Sequence, residues 1–223
     1  MIEGFLLSVV ASLAIKFVCN IGVNLVVSFF RNLFSNEEQV MPDTIRCELS
    51  DTDKQMAQQT NELINEHFGE DVCSSIKSMS NIERLQAADK FANELKELYG
   101  LDIDIDVVAQ DERQCGYYNW QESKAVFNVI ELWIDNNDPA FEEHIKNFFD
   151  TIIHELRHAV QYKAVSQEGF WNVEQDRRES WKNNFDPNNY IRAEIDLRGY
   201  MTQPVENDAY TFAAYVMEGA FAQ

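Results

Sequence analysis

His154-Glu155-Leu156-Arg157-His158 sets two imidazoles four residues apart with a carboxylate beside the first. On a helix, side chains at i and i+4 lie one above the other on one face, so both rings can grip a single ion. The expected ion is zinc, which takes neutral imidazole nitrogens at about 2.0–2.1 Å and keeps one position open for water in catalytic sites. Glu155 stands where a general base for that water is needed. The competing reading is two histidines on a solvated face, each satisfied by ordinary hydrogen bonds. Two of only four histidines in the chain fall at this spacing, which favours ligation.

The flanks decide that the motif is helical. Upstream runs Asp138-Pro139-Ala140-Phe141, and Phe141, Ile145, Phe148, Ile152, Leu156 and Ala159 recur at three- and four-residue steps. That spacing is the signature of a core-facing stripe, with Asp138 placed to cap the helix and Pro139 suited to its first position. His154 and His158 fall off the stripe.

Two histidines do not complete a zinc site, so a third ligand is expected from a later element packed on this helix. Glu206 lies in Gln203-Pro204-Val205-Glu206-Asn207-Asp208-Ala209-Tyr210, the opening of a second helix that starts at Pro204 and is rich in small residues. The competing third ligand is Glu194, in Tyr190-Ile191-Arg192-Ala193-Glu194. The alternative for Glu206 is a first-turn acid favoured by the helix dipole.

On His154, Glu155, His158 and the later Glu206-Asn207-Asp208-Ala209, the chain resembles the zincin metallopeptidases, specifically the gluzincin-like group in which a glutamate from a later helix completes the site. The resemblance covers roughly residue 101 to the C-terminus. It implies that His154, His158 and Glu206 bind zinc, that Glu155 activates water for peptide hydrolysis, and that Ala209 lies against the active-site helix. Better-known members carry an acid four residues after the ligand glutamate, where this chain has Tyr210; Asp208 is then the candidate to orient a histidine ring. Tyr190, Tyr200, Tyr210 and Tyr215 are candidate donors to an oxyanion.

Leu101 to Val108 alternates apolar and polar residues, as a half-buried strand does. Its three aspartates do not make a calcium loop, because Val107 stands where the required glycine would be. Cys115 to Trp120 and Ala125 to Leu132 read as a hairpin. By the resemblance, one of its strands holds the substrate peptide extended. The expected fold is therefore α+β: a small antiparallel or mixed sheet, an active-site helix and a C-terminal helix. Residues 51–100 are expected to be helical, with helices over Gln55 to Phe68 and Asn81 to Tyr99; the second carries Ile82, Leu85, Ala88, Ala92, Leu95 and Leu98 as its stripe and stops at Gly100. The catalytic core then spans 101–223, within a domain of 51–223.

Residues 5–34 differ from everything after them. The run is apolar and long enough to cross a bilayer, and Gly4, Ser8, Ser12, Lys16, Asn20, Asn24, Ser28 and Asn32 recur at every fourth position. Such a polar stripe is costly against lipid and calls for a partner helix, so residues 1–35 are expected to form a membrane-associating helix that self-associates. Burial within a soluble fold and a cleaved leader are the alternatives; Met1-Ile2-Glu3 lacks the basic start of a leader. Arg31 on the carboxyl flank places the enzyme domain in the cytoplasm under the positive-inside rule. A membrane-active toxin or pore component, in which this helix is the effector, is the rival from another class; a catalytically silent binding module on the same scaffold is a third, and a soluble cytoplasmic protein or a delivered effector is the alternative location. Ser35 to Ser50 reads as a linker.

A net charge of −20 excludes a nucleic-acid surface, which needs clustered lysine and arginine. Cys19, Cys47, Cys73 and Cys115 form no C-x-x-C pair and read as free thiols. The expected partner is a protein or peptide substrate.

Overall fold

The computed structural model describes residues 46–109 and 115–221. The expected membrane helix of residues 5–34 and most of the linker lie outside them, as does Cys19. Among the described residues, no helix is long and apolar enough to cross a membrane.

The architecture is α+β. Among the described residues three helices come first: α1 (Asp51–Phe68), α2 (Val72–Ser78) and α3 (Asn81–Leu98). Strands β1 (Asp104–Val108), β2 (Gly116–Asn119) and β3 (Lys124–Asn128) follow, then a 3-10 turn over Val129–Trp133 and the long helix α4 (Phe141–Ser166). Helices α5 (Gln175–Asn184), α6 (Leu197–Thr202) and α7 (Pro204–Ala220) complete the chain.

Both α1 and α3 open on a capping box. Ser50 bonds the Asp53 amide while Asp53 bonds back to the Ser50 amide, and Ser80 and Glu83 repeat the arrangement. Starting at Asp51, α1 begins a turn earlier than expected. The end of the presumed linker is not loose: Leu49 is buried and the Cys47 amide donates to Thr211 Oγ1 at 3.2 Å on α7.

The stripe of α3 is rotated from the expected one. Ile82 is 69 % exposed, and the buried row is Arg84, Ala88, Phe91, Ala92, Leu95 and Tyr99. A charged residue takes the inward position because its guanidinium finds carbonyl acceptors. Arg84 donates to Ile76 O at 2.9 Å and Leu132 O at 2.5 Å, closing α3 onto α2 and the 3-10 turn.

The sheet is mixed, in the order β1-β3-β2, with β1 parallel and β2 antiparallel to β3. Tyr118 faces Ala125 across the hairpin. The second hairpin strand ends at Asn128, four residues short of expectation, because the Asn128 side chain accepts from the Ile130 amide and turns the chain.

α4 crosses one face of the sheet. Gly116 permits the contact: a Cβ there would stand 2.9 Å from Thr151 Cγ2 and 3.1 Å from Phe127 Cδ1. The six stripe residues of α4 are all buried, and Phe149, Ile153 and Val160 widen the buried face. The helix starts later than expected. Asp138 Oδ1 accepts from the Ala140 amide in a preceding turn, and Ala140 is the N-cap. α7 packs along α4 and α1, so one hydrophobic core joins α1, α3, the sheet, α4 and α7.

Candidate metal centre

His154 and His158 lie in the middle of α4 with ring centroids 4.7 Å apart, edge to face, and their Nε2 atoms 3.0 Å apart. Glu206 meets them from the first turn of α7. Its Oε2 stands 3.3 Å from His154 Nε2 and its Oε1 3.5 Å from His158 Nε2. Glu194, the rival third ligand, is exposed and outside the group. His154 is 7 % and Glu206 2 % exposed.

The start of α7 is fixed by a clamp of amide side chains. Gln203 bonds the Ile191 backbone in both directions, at 2.9 and 3.0 Å. Asn184 donates to Gln203 Oε1 at 2.9 Å and its own Oδ1 accepts from the Val205 amide at 3.1 Å, satisfying a donor that the helix start leaves open. One residue further along, Glu206 has no freedom to drift.

A tetrahedral ion with bonds of about 2.0–2.1 Å sets its ligands about 3.3–3.4 Å apart. The His154–His158 and His154–Glu206 Oε2 separations, 3.0 and 3.3 Å, lie near that figure, and the 3.5 Å contact to His158 is made by the other oxygen, Oε1. Glu206 Oε2 and His154 Nδ1 are buried without a hydrogen bond, Oε2 having only the 3.3 Å contact to His154 Nε2, and a buried carboxylate oxygen with no hydrogen bond is costly. This His-His-Glu group can hold a metal ion.

Without an ion, the group is held by charge. Burial draws the His158 imidazolium down, but the Glu206 carboxylate beside it outweighs burial and raises its pKa to about 9. Burial would raise the Glu206 pKa; His158 and His154 hold it well below the carboxylate range instead.

No family model, curated protein or solved structure matches the chain. The chemistry of the centre is therefore read from its own residues.

Glu155 projects to the sheet edge. Its Oε2 accepts from the Tyr118 amide at 3.0 Å. The bond from the Asn128 amide to Cys115 O, with the register of the hairpin, puts the Gly116 and Tyr118 amides on the outer edge of β2. The edge strand that faces the metal helix is thus β2.

The tyrosines divide. Tyr190 donates to Glu206 Oε1 at 2.8 Å, and Tyr200 bonds both Tyr190 and Tyr210. The Tyr210 ring lies 4.4 Å from that of His154, so the residue that replaces the expected acid is a packing partner. Burial, then the charge of Glu206, pushes all three phenols well above their ordinary value. Tyr215 is 42 % exposed on the other side of α7, beside Lys54 and Asn61.

Asp208 touches neither histidine. His158 Nδ1 bonds Gln161 Oε1 at 2.9 Å, and Gln161 Nε2 donates to Asp208 Oδ2 at 2.7 Å and Val205 O at 2.9 Å. The direct acceptor is Gln161, and Asp208 orients the ring through it. Asp208 also binds Arg157 Nε at 2.8 Å, Arg157 binds Asp53 at 2.7 Å, and Arg177 bridges Asp53 and Asp208. Two guanidinium groups and two carboxylates make a neutral ring, with Arg157 and Asp53 fully buried, behind the histidines. Gln161, three residues past His158 on the same helix, was open to detection from spacing. Asp53 and Arg177 were not, being over 100 residues apart in sequence and joined only by the fold.

Proposed function

We propose that the protein is a zinc-dependent peptidase with a zincin-like core. One observation carries the reading: an orphaned, buried Glu206 carboxylate oxygen within 3.3 Å of a histidine nitrogen that itself faces a second one. Two nitrogens and one oxygen, with no thiolate, suit zinc at a catalytic site better than at a structural one.

Bound zinc would polarise the scissile carbonyl and acidify water. The chain supplies the rest. Gln161 fixes the His158 tautomer, so that Nδ1 donates outward and Nε2 offers its lone pair. Tyr118 donates to one oxygen of Glu155, and the carboxylate takes a proton from the attacking water and passes it to the leaving amine. The outer edge of β2, one side of which carries that contact, is the strand against which an extended peptide would lie.

Metal analysis of the purified chain beside Glu155→Gln tests this. Equal zinc in both, with peptide cleavage lost by roughly 10²–10⁴-fold in the variant, is the expected result. A parent protein with no bound metal after zinc loading, or equal cleavage by both, overturns the proposal.

A further inference from the structure

One helical turn past His158, the row His154, His158 continues to Tyr162 at the same four-residue step. The Tyr162 ring meets two other aromatic rings. Trp120, just past the end of β2, has its centroid 5.6 Å away, and Phe185, at the end of α5, meets it edge to face at 5.7 Å. The three rings run from the sheet edge that holds Glu155, over the metal helix, to the segment that delivers Tyr190 to Glu206. Although Trp120 has this stacking partner, it remains 42 % exposed.

Beneath Tyr162 and Tyr118 lies a cavity of about 240 Å³. Its inner surface is Leu101 and Ala159, both buried, with Ile103 beside them. Ser123, Ser166 and Gln167 also line it; Asp102 is exposed, and the Lys163 ammonium donates to Gly100 O at 2.5 Å while lying over the Phe170 ring. A basic side chain would find no buried acid among these lining residues. A flat apolar side chain would find the Tyr118 and Tyr162 rings, an apolar inner surface and a volume to enter.

We infer that Trp120, Tyr162 and the cavity under Tyr118 form the specificity subsite of the enzyme, selecting peptides with an aromatic side chain close to the cleaved bond. This rests on the peptidase reading of the metal centre. The four-residue step from His158 to Tyr162 is about 6 Å and an extended peptide advances about 3.3 Å per residue, so the selected side chain belongs to a residue within about two positions of that bond.

The test uses a peptide series in which phenylalanine or alanine occupies each position in turn. Cleavage is measured with the full-length zinc-loaded protein, and binding of labelled peptides by anisotropy with Glu155→Gln. At one position phenylalanine is expected to be favoured by roughly ten- to a hundredfold, with the ratio falling towards one in Trp120→Ala and restored in Trp120→Phe. Cleavage with no aromatic preference, or a preference indifferent to Trp120→Ala, overturns the subsite and leaves the peptidase standing. Absence of cleavage with a Trp120-dependent preference in binding overturns the peptidase and leaves the subsite. Neither cleavage nor selective binding overturns both.

Discussion

At the scale of single residues, the centre is a case of side chains held by side chains. His158 is aimed by Gln161, Gln161 by Asp208, and Asp208 by Arg157 and Arg177. Gln161→Leu should therefore keep the fold but weaken zinc binding by about 10–100-fold, read by competition with a chromophoric chelator. Glu206→Ala should lose stoichiometric zinc, and Glu194→Ala should retain it, since Glu194 is exposed and apart. Equal zinc affinity in all three would remove Glu206 from the centre. His154, Glu155, His158 and Glu206 were legible in the sequence because one local spacing and one helix start announced them. Gln161 and the Arg–Asp ring were not singled out: the glutamine carries no charge to draw the eye, and a ring closed between α1, α4, α5 and α7 has no local pattern.

At the scale of elements, the periodic signals located helices and strands well and erred where a polar group found a partner. Ile82 and Arg84 exchanged places on α3 because four acceptors awaited the guanidinium. β3 stopped early because Asn128 turned it, and α4 began late because Asp138 closed a separate turn. Helices α5 and α6 are short and polar and gave no apolar period to read. The crossing of α4 over the sheet depends on Gly116. Gly116→Ala is expected to cost about 1–3 kcal/mol of unfolding free energy by overpacking, partly recovered in a double variant with Thr151→Ser, which removes the Cγ2 atom that the new methyl meets. A denaturation cycle with additive effects would show that the two elements do not press together there.

At the scale of the whole molecule, the Asp53–Arg157–Asp208–Arg177 ring ties α1 to α7 across α4. Burial alone would raise the Asp53 and Asp208 pKa values; the guanidinium groups outweigh it and hold both below the usual range. A carboxylate whose pKa drops on folding stabilises the fold above its unfolded value, about 3.9, and that contribution is lost as pH falls towards the folded value. Asp53→Asn should destabilise the protein by roughly 3–5 kcal/mol at neutral pH, because it leaves a buried guanidinium undercompensated. The gap between variant and parent should narrow as pH is lowered from about 5 towards 2, followed by chemical denaturation at each pH. A constant gap would mean that the ring holds by shape rather than by charge.

The same ring carries its own optical probe. The Arg157 guanidinium lies 5.5 Å from the Trp171 ring and 5.6 Å from that of Trp181, and Trp181 is buried, whereas Trp120 and Trp133 are exposed. Of the four indoles, two thus emit beside a neutral buried ring, Trp181 fully buried and Trp171 half-buried, and two from the exposed surface. Selective quenching by iodide separates the pairs, so opening of the interior can be timed in the unlabelled protein by watching the shielded light become quenchable.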